Sequence, residues 1–233
     1  MQIVTNESLV KRNARIGQIA SIGGLGILVV GMIISFTRAD LFIWSLLALL
    51  LGFTLSQVGI YFGNRWGRRP RPDEHLDAAL KGLDQNYTLY HYTTPTAHLL
   101  VGPAGLWVLL PRQQRGTIIF EKGRWRQKGG GLIQAYMRFF AQEGIGRPDL
   151  EAQTEIESVH KFLSSQMDED EVPDINVILV CTNDNATIVE SEEATMPAIP
   201  VKKLKDFIRK TAKGKPISLV VSKTIQDAFA TSS

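Results

Sequence analysis

The chain has 233 residues, a formal net charge of +3, four histidines and one cysteine. This length leaves room for a membrane anchor and one globular domain of ordinary size, but not for two large domains. A single cysteine, Cys181, excludes an internal disulfide framework and a multi-cysteine zinc site. Because it ends the apolar run 175–181, we expect it to be a small buried strand residue and not a functional thiol.

Two apolar segments near the start of the chain predict a transmembrane helical hairpin. Residues 16–36 and residues 41–62 contain no charged side chain, and only four residues separate them. Each matches the roughly 20 residues that cross about 30 Å of hydrocarbon. A cleaved signal peptide has a shorter apolar core, of roughly 7–15 residues. Buried helices of a soluble domain would carry one apolar stripe, whereas these segments are apolar on all sides.

Basic residues flank both spans and predict their orientation. Residues 1–15 contain Lys11, Arg12 and Arg15, and the linker 63–72 contains four arginines. The positive-inside rule then predicts a multi-pass protein of the cell membrane with both termini in the cytoplasm. Small residues that allow close helix packing, within the hairpin or in a homo-oligomer, recur at a spacing of four: Gly17/Ser21, Ala20/Gly24 and Gly52/Ser56.

The positive charge belongs to the segments that flank the membrane. Residues 73–233 carry a net charge of −3, so the sequence pI of about 9.0 does not describe the globular part. A basic chain would otherwise suggest nucleic acid as a partner. Here the lipid bilayer and its anionic headgroups account more simply for most of the excess positive charge.

The globular part, residues 73–233, predicts an α/β fold with a central mixed sheet. We expect a helix from Asp73-Glu74, a strand at 87–92, a buried hairpin at 99–101 and 106–110, and a polar hairpin at 116–120 and 124–127. A short helix around 132–140, a helix over 148–166, a strand at 175–181 and helices over 201–210 and 216–229 follow. Residues 219–221 fit a strand equally well. The acidic run 168–171 predicts a solvated loop, with metal binding as the alternative.

Several segments together resemble the NERD family, the nuclease-related domain. They are Asp73-Glu74 before a leucine-patterned helix, the segment 98–112 (HLLVGPAGLWVLLPR), Gly116-Thr-Ile, Gly123-Arg-Trp125 and Arg147-Pro148 with Gln153. The resemblance covers most of residues 73–210. It implies a restriction-endonuclease-like core, in which an Asp on the first hairpin strand and a Glu-x-Lys on the second hold Mg²⁺ for phosphodiester hydrolysis.

By position, the three catalytic residues of that family fall on Ala97, Leu110 and Arg112. Methyl and isobutyl groups supply no oxygen to Mg²⁺, and an arginine does not act as a proton acceptor. We therefore predict a catalytically inactive domain with no resident cofactor, which serves as a binding or scaffolding module at the membrane.

Two alternatives stay open at the level of the sequence. A migrated Mg²⁺ site would use Glu74, His98 and Glu121, although His98 also suits a histidine hydrogen-bonded within the sheet. A membrane-tethered nucleic-acid-binding protein would use basic and aromatic residues of adjacent strands to follow a phosphate backbone and stack a base: Arg112, Arg115, Lys122, Arg124, Trp125, Arg126 and Lys128.

Overall fold

The computed structural model describes residues 1–129, 144–189, 191–214 and 216–231. The described residues separate into two compact units. One contains residues 1–6 together with those from residue 72 onward, and the other contains residues 7–71. The short helix expected around residues 132–140 lies outside the described residues.

The unit of residues 7–71 is an antiparallel pair of long helices, α1 (Glu7–Thr37) and α2 (Phe42–Phe62), joined by a short 3-10 turn, Ala39–Leu41. Both are long and apolar enough to be candidate membrane-spanning helices. They expose most of their large apolar side chains, Phe36 to 84%. Such exposure differs from the buried core helices of a soluble protein and agrees with the predicted spans at 16–36 and 41–62.

Small residues at a spacing of seven hold the two helices together. The buried residues of the two helices include Gly17, Gly24 and Gly31 on α1 and Ser45, Gly52 and Gly59 on α2. A Cβ atom on Gly24 would lie 2.9 Å from the carbonyl oxygen of Gly52, and one on Gly59 would lie 2.6 Å from the amide nitrogen of Ser21. The Ser45 hydroxyl donates to the Gly31 carbonyl at 3.1 Å. The small-residue spacings thus serve packing within the hairpin.

The linker after α2 differs from its predicted form. The two prolines and the glycines of residues 63–72 predict a linker that breaks the helix, but a π-helical turn continues through Gly63–Gly67. The Trp66 ring packs on Phe62 with a centroid distance of 5.1 Å, and the Arg65 guanidinium lies 5.0 Å from the Trp66 centroid. These aromatic contacts compensate for the low helix propensity of glycine.

The other unit is a mixed α/β domain with a six-stranded sheet. Its strands lie in the order β1-β2-β3-β4-β7-β9: β1 (Gln2–Thr5), β2 (Thr88–His91), β3 (His98–Gly102), β4 (Gly105–Arg112), β7 (Ile175–Cys181) and β9 (Ala198–Pro200). The β2–β3 and β3–β4 pairs are antiparallel, and the β1–β2, β4–β7 and β7–β9 pairs are parallel.

A second sheet of three strands has the order β6-β5-β8, formed by β5 (Gly116–Glu121), β6 (Arg124–Lys128) and β8 (Ala186–Val189). The parallel β4–β7 pair leads into the parallel β5–β8 pair across a short break. There the Thr182 amide donates to the Arg112 carbonyl at 2.8 Å, and the Gly116 amide donates to the Asn185 carbonyl at 3.1 Å.

Helices cover both faces of the six-stranded sheet. On one face α3 (Pro72–Leu80) and α5 (Leu204–Gly214) bury Leu76, Leu80, Leu204 and Ile208 against alternate residues of β2, β3, β4 and β7. On the other face α4 (Pro148–Leu163) and α6 (Leu219–Thr231) bury a second core: Leu99, Val108, Leu110, Val159, Leu163, Leu179, Ile225 and Phe229. The alternation along buried strands therefore sends neighbouring residues to opposite cores.

Three strands were not predicted. Residues 1–15 were expected to form a separate segment, but Gln2–Thr5 is the edge strand of the main sheet and α1 begins at Glu7. Strands β8 and β9 lie between the strand predicted at 175–181 and the helix predicted over 201–210, where the sequence predicts a loop. Residues 219–221, for which a strand was the alternative, are helical. The acidic run 168–171 contains only a 3-10 turn, Glu169–Glu171.

Candidate functional site

Ala97 and Leu110 lie where a catalytic pair of carboxylates would be expected to face each other. The β3–β4 register ends with Leu99 opposite Val108, so Ala97, which precedes β3, and Leu110 on β4 each lie two residues beyond its last pair. The Ala97 carbonyl accepts a hydrogen bond from the Tyr92 amide at 2.9 Å. Leu110 is 3% exposed and belongs to the core beneath α4 and α6. These side chains offer Mg²⁺ no oxygen, and an ion there would be surrounded by hydrocarbon.

Arg112, at the end of β4, is engaged by its own unit. Its Nη2 forms an ion pair with the Glu151 carboxylate of α4, and its Nε donates to the Ile145 carbonyl at 3.2 Å. Its Nη1 donates to the Pro111 carbonyl at 3.0 Å. Arg112 therefore joins β4 to α4 through a partly buried charge pair, and the residues present do not fit a Mg²⁺ centre.

The three residues of the migrated-site alternative lie on different elements. Glu74 is in the first turn of α3, His98 begins β3, and Glu121 ends β5 in the other sheet. The Lys128 ammonium bonds to Glu121 at 2.7 Å and lowers the pKa of that carboxyl. Among the described residues, no three His, Cys, Asp or Glu side chains are grouped so that they could hold a metal ion.

A buried histidine pair lies at the end of the β2–β3 hairpin. His91 and His98 are opposite each other in the register, and their Nδ1 atoms are 2.8 Å apart. His91 Nε2 lies 3.0 Å from Oδ1 of Asp77 on α3. His91 is fully buried, His98 is 4% exposed, and the Asp77 side chain is 31% exposed. The three side chains form a hydrogen-bonded chain from a partly exposed carboxylate into the domain.

The direction of these hydrogen bonds follows from the carboxylate. Asp77 is an acceptor, so His91 carries a proton on Nε2 and, when neutral, presents the lone pair of Nδ1. His98 must then donate its Nδ1–H to His91. The ring of Tyr92, whose φ of +59° places it in the left-handed region, packs against His98 with a centroid distance of 5.0 Å. His98 is thus a hydrogen-bonded histidine of the sheet, as its context suggested.

His91 and Asp77 were not among the residues that we singled out from the sequence. A signal was present, because a strand at 87–92 followed by a hairpin return near residue 98 brings the two histidines into register. Asp77 carried no such signal, since its contact with His91 depends on how α3 packs across the sheet.

The predicted nucleic-acid interface is only partly assembled. On β6, Arg124, Arg126 and Lys128 share one face, and Trp125 lies on the other. Trp125 is 3% exposed and packs on Phe120 with a centroid distance of 5.4 Å, so it is a core residue and not a platform for a base. Arg115 precedes β5, and its carbonyl accepts a hydrogen bond from the Gln127 side chain at 2.8 Å.

Residues of β6 and the two residues before α4 line an open cleft of about 260 Å³: Arg124, Trp125, Arg126, Gln127, Lys128, Gly146 and Arg147. Four of these seven residues are basic. We call this feature the basic cleft. Comparisons of the chain with protein-family models, with curated proteins and with solved structures found no match.

Proposed function

We propose that this chain is a membrane-anchored, catalytically inactive domain of the nuclease-related (NERD) type, which acts as a binding or scaffolding module on the cytoplasmic face of the cell membrane. The proposal rests on the contacts that residues at the expected catalytic positions make. Leu110 fills the core and Arg112 is paired with Glu151, so both positions serve the structure of the unit.

The order of elements supports a nuclease-related core. A helix, a strand and a buried hairpin are followed by a polar hairpin, a long helix and a parallel strand, as in the plan on which the resemblance rests. Positions 97 and 110 each lie two residues beyond the last pair of this hairpin, Leu99 with Val108. The structure has a mixed α/β architecture and this order of elements. The restriction-endonuclease-like fold is part of the proposal.

The loss of oxygen ligands supports inactivity. Members of a catalytic unit act together, so removing one commonly costs several orders of magnitude in rate. Here the Asp, the Glu and the Lys are all replaced, and the replacing residues have other contacts.

The helical hairpin and β1 support the anchoring. The exposed apolar side chains of α1 and α2 suit a lipid environment. Strand β1 precedes both helices and pairs with β2, which follows them. If both helices cross the membrane, this pairing requires both ends of the hairpin to emerge on the same side, and the flanking arginines favour the cytoplasm.

The test is a cleavage assay on the full chain in detergent micelles, because a fragment that starts at residue 73 would lack β1. Single- and double-stranded DNA and RNA are incubated with Mg²⁺ or Mn²⁺. We expect no cleavage above the level of a protein-free control. Metal-dependent cleavage that disappears in Glu74→Gln or His98→Ala would overturn the proposal in favour of the migrated-site nuclease.

A further inference from the structure

The basic cleft concentrates positive charge on a unit that is otherwise acidic. Residues 111–129 contain six arginines and lysines and one glutamate, whereas residues 73–233 as a whole carry a net charge of −3. The alternation of β6 gathers three of the six on one face. A local field of this kind attracts anions even though the unit as a whole does not.

Two of the four cations of the basic cleft already have acidic partners. Lys128 pairs with Glu121 at 2.7 Å, and Arg147 pairs with Asp149 at 2.7 Å. The hydrogen bond from Arg147 lowers the pKa of Asp149 and keeps that carboxylate charged. Arg124 and Arg126 form no such pair, although the charge of Arg124 also lowers the pKa of Asp149 and that of Arg126 lowers the pKa of Glu121.

Arg124 and Arg126 make no ion pair within 4.0 Å to any residue that the structure describes. The Nε of Arg126 is buried and has no hydrogen-bond partner in the same part of the chain. A buried charged donor without an acceptor is costly, and a turn of the Arg126 side chain toward an anion in the cleft would remove that cost. Guanidinium groups bind phosphate oxygens in a bidentate manner, which makes a phosphate group the matching ligand.

The size and lining of the cleft favour a small headgroup over a nucleic acid. Its volume of about 260 Å³ lies just below the roughly 300–1,000 Å³ of pockets that bind drug-sized ligands. Binding of single strands relies on aromatic side chains on which bases stack. Among the described residues that line the cleft, Trp125 is the only aromatic one, and it is committed to the core. Tethering by two candidate spans would also hold the unit at a high effective concentration of lipid.

We propose that the basic cleft binds the phosphorylated headgroup of an anionic phospholipid, with Arg124 and Arg126 as the residues that contact the phosphate. This inference rests on the proposed membrane anchoring but not on catalytic inactivity. Headgroup binding would make the module sensitive to the lipid composition of its membrane.

The test is native mass spectrometry of the full chain in a neutral detergent with equal amounts of phosphatidylcholine and a phosphatidylinositol phosphate. We expect selective adducts with the phosphorylated lipid. The double variant Arg124→Glu/Arg126→Glu should weaken the apparent affinity roughly tenfold or more, since charge-assisted contacts are lost and replaced by repulsion. The matched control, Lys161→Glu/Lys210→Glu, makes the same change of charge at exposed helix positions and should retain binding.

Three results would overturn the inference. One is an equal affinity of the wild type for both lipids. Another is a loss of binding only when the linker arginines Arg68 and Arg69 are changed to Gln, with no effect of the cleft variant. The last is salt-sensitive binding of a 20-nucleotide oligo-dT that depends on Arg124 and Arg126 without lipid selectivity, which would assign the cleft to nucleic acid. Circular dichroism establishes that each variant is folded, and the cleavage assay tests catalytic inactivity separately.

Discussion

Two imidazoles that face each other through Nδ1 need one proton between them, and the carboxylate of Asp77 determines where it lies. Replacing either histidine with leucine leaves the other ring with a buried nitrogen that has lost its partner. We expect His91→Leu and His98→Leu each to destabilise the unit by roughly 1–3 kcal/mol. At about 2–4 °C per kcal/mol for a domain of this size, thermal unfolding of the full chain in micelles measures the loss.

The double variant separates a coupled pair from two independent core residues. With both rings removed, no imidazole is stranded, so the combined cost should be smaller than the sum of the single costs. His98→Asn, whose amide lies near the former position of Nδ1, should recover part of the stability. Strictly additive losses, together with no recovery in the asparagine variant, would contradict the assigned hydrogen bond.

Cys181 should be nearly unreactive in the folded chain. It is buried at the end of β7, and desolvation raises the pKa of its thiol to about 11, against a smaller opposite effect of Arg112. Burial disfavours the charged thiolate, which is the nucleophile. Because burial raises the pKa of the thiol from 9.0 to about 11, the fraction of thiolate at pH 8 falls roughly 100-fold.

Reaction with a disulfide reagent such as DTNB measures this effect. The native chain should react slowly at pH 8 and faster as the pH approaches 11, and the denatured chain should release one equivalent at once. Rapid native reaction at pH 8 would show that the thiol is accessible. The upward shift of the Cys181 pKa also predicts a pH dependence of stability. Above the unfolded pKa near 9, the thiol ionises readily only in the unfolded chain, so the free energy of unfolding falls.

The residues of the site differ in how far sequence could predict them. Leu110 was correctly placed on a buried strand, since a continuous apolar run identifies such strands without their partners. The burial of Trp125 was missed, because a five-residue polar strand does not reveal which of its two faces meets the core. The pairing of Arg112 with Glu151 joins residues 39 positions apart and depends on the packing of α4 against β4.

At the scale of elements, β1 is a short parallel edge strand whose amides alternate between the sheet and the open edge. The Gln2 amide donates to the Tyr87 carbonyl at 2.8 Å, and the Asn6 amide donates to the His91 carbonyl at 3.0 Å. The two-residue alternation assigns the Val4 amide to the same ladder and points the Ile3 amide outward.

Proline substitutions test this assignment with a matched pair. Val4→Pro removes a ladder donor and should lower the unfolding temperature of the full chain. Ile3→Pro removes an amide on the open edge, where proline is tolerated, and should have the smaller effect. Equal effects would show that β1 is not registered on β2 in this way.

The helical hairpin offers a second matched pair. A Cβ on Gly24 would lie 2.8 Å from the Ser56 nitrogen and 2.9 Å from the Gly52 carbonyl, whereas a Cβ on Gly23 meets nothing within 4 Å. Gly24→Ala should therefore separate the helices at a cost of roughly 1–3 kcal/mol. Gly23→Ala should be neutral or slightly stabilising, because alanine favours helix. Thermal unfolding in micelles compares the two variants. An equal loss of stability in both would indicate that the effect comes from helix propensity and not from contact between the helices.

The elements that sequence predicted and those that it missed differ in length and in range of contact. Long periodic helices and continuous apolar strands carry their own signal, as β7 does, whose observed bounds match the prediction. Strands β1, β8 and β9 have three or four residues and are strands only because a neighbour is already in place. For β1 that neighbour lies more than 80 residues away in sequence, beyond both apolar helices.

At the scale of the whole molecule, the pairing of β1 with β2 constrains topology. The two strands lie on either side of the helical hairpin in sequence and in one sheet in space, so the chain between them must return to the side from which it left. Two crossings satisfy this condition, and one crossing does not. The proposed orientation, with residues 1–6 and the chain from residue 72 onward in the cytoplasm, rests on the arginines around the hairpin.

Accessibility of single cysteines tests that topology in a Cys181→Ala background. We expect Gln2→Cys and Lys223→Cys to be protected from a membrane-impermeant maleimide in right-side-out vesicles and labelled in inside-out vesicles. Ala39→Cys, in the turn between α1 and α2, should show the opposite pattern. If Gln2→Cys and Lys223→Cys are labelled from different sides, β1 cannot join the sheet while both helices span. If Ala39→Cys follows the same pattern as the other two, the hairpin lies on the membrane and does not cross it.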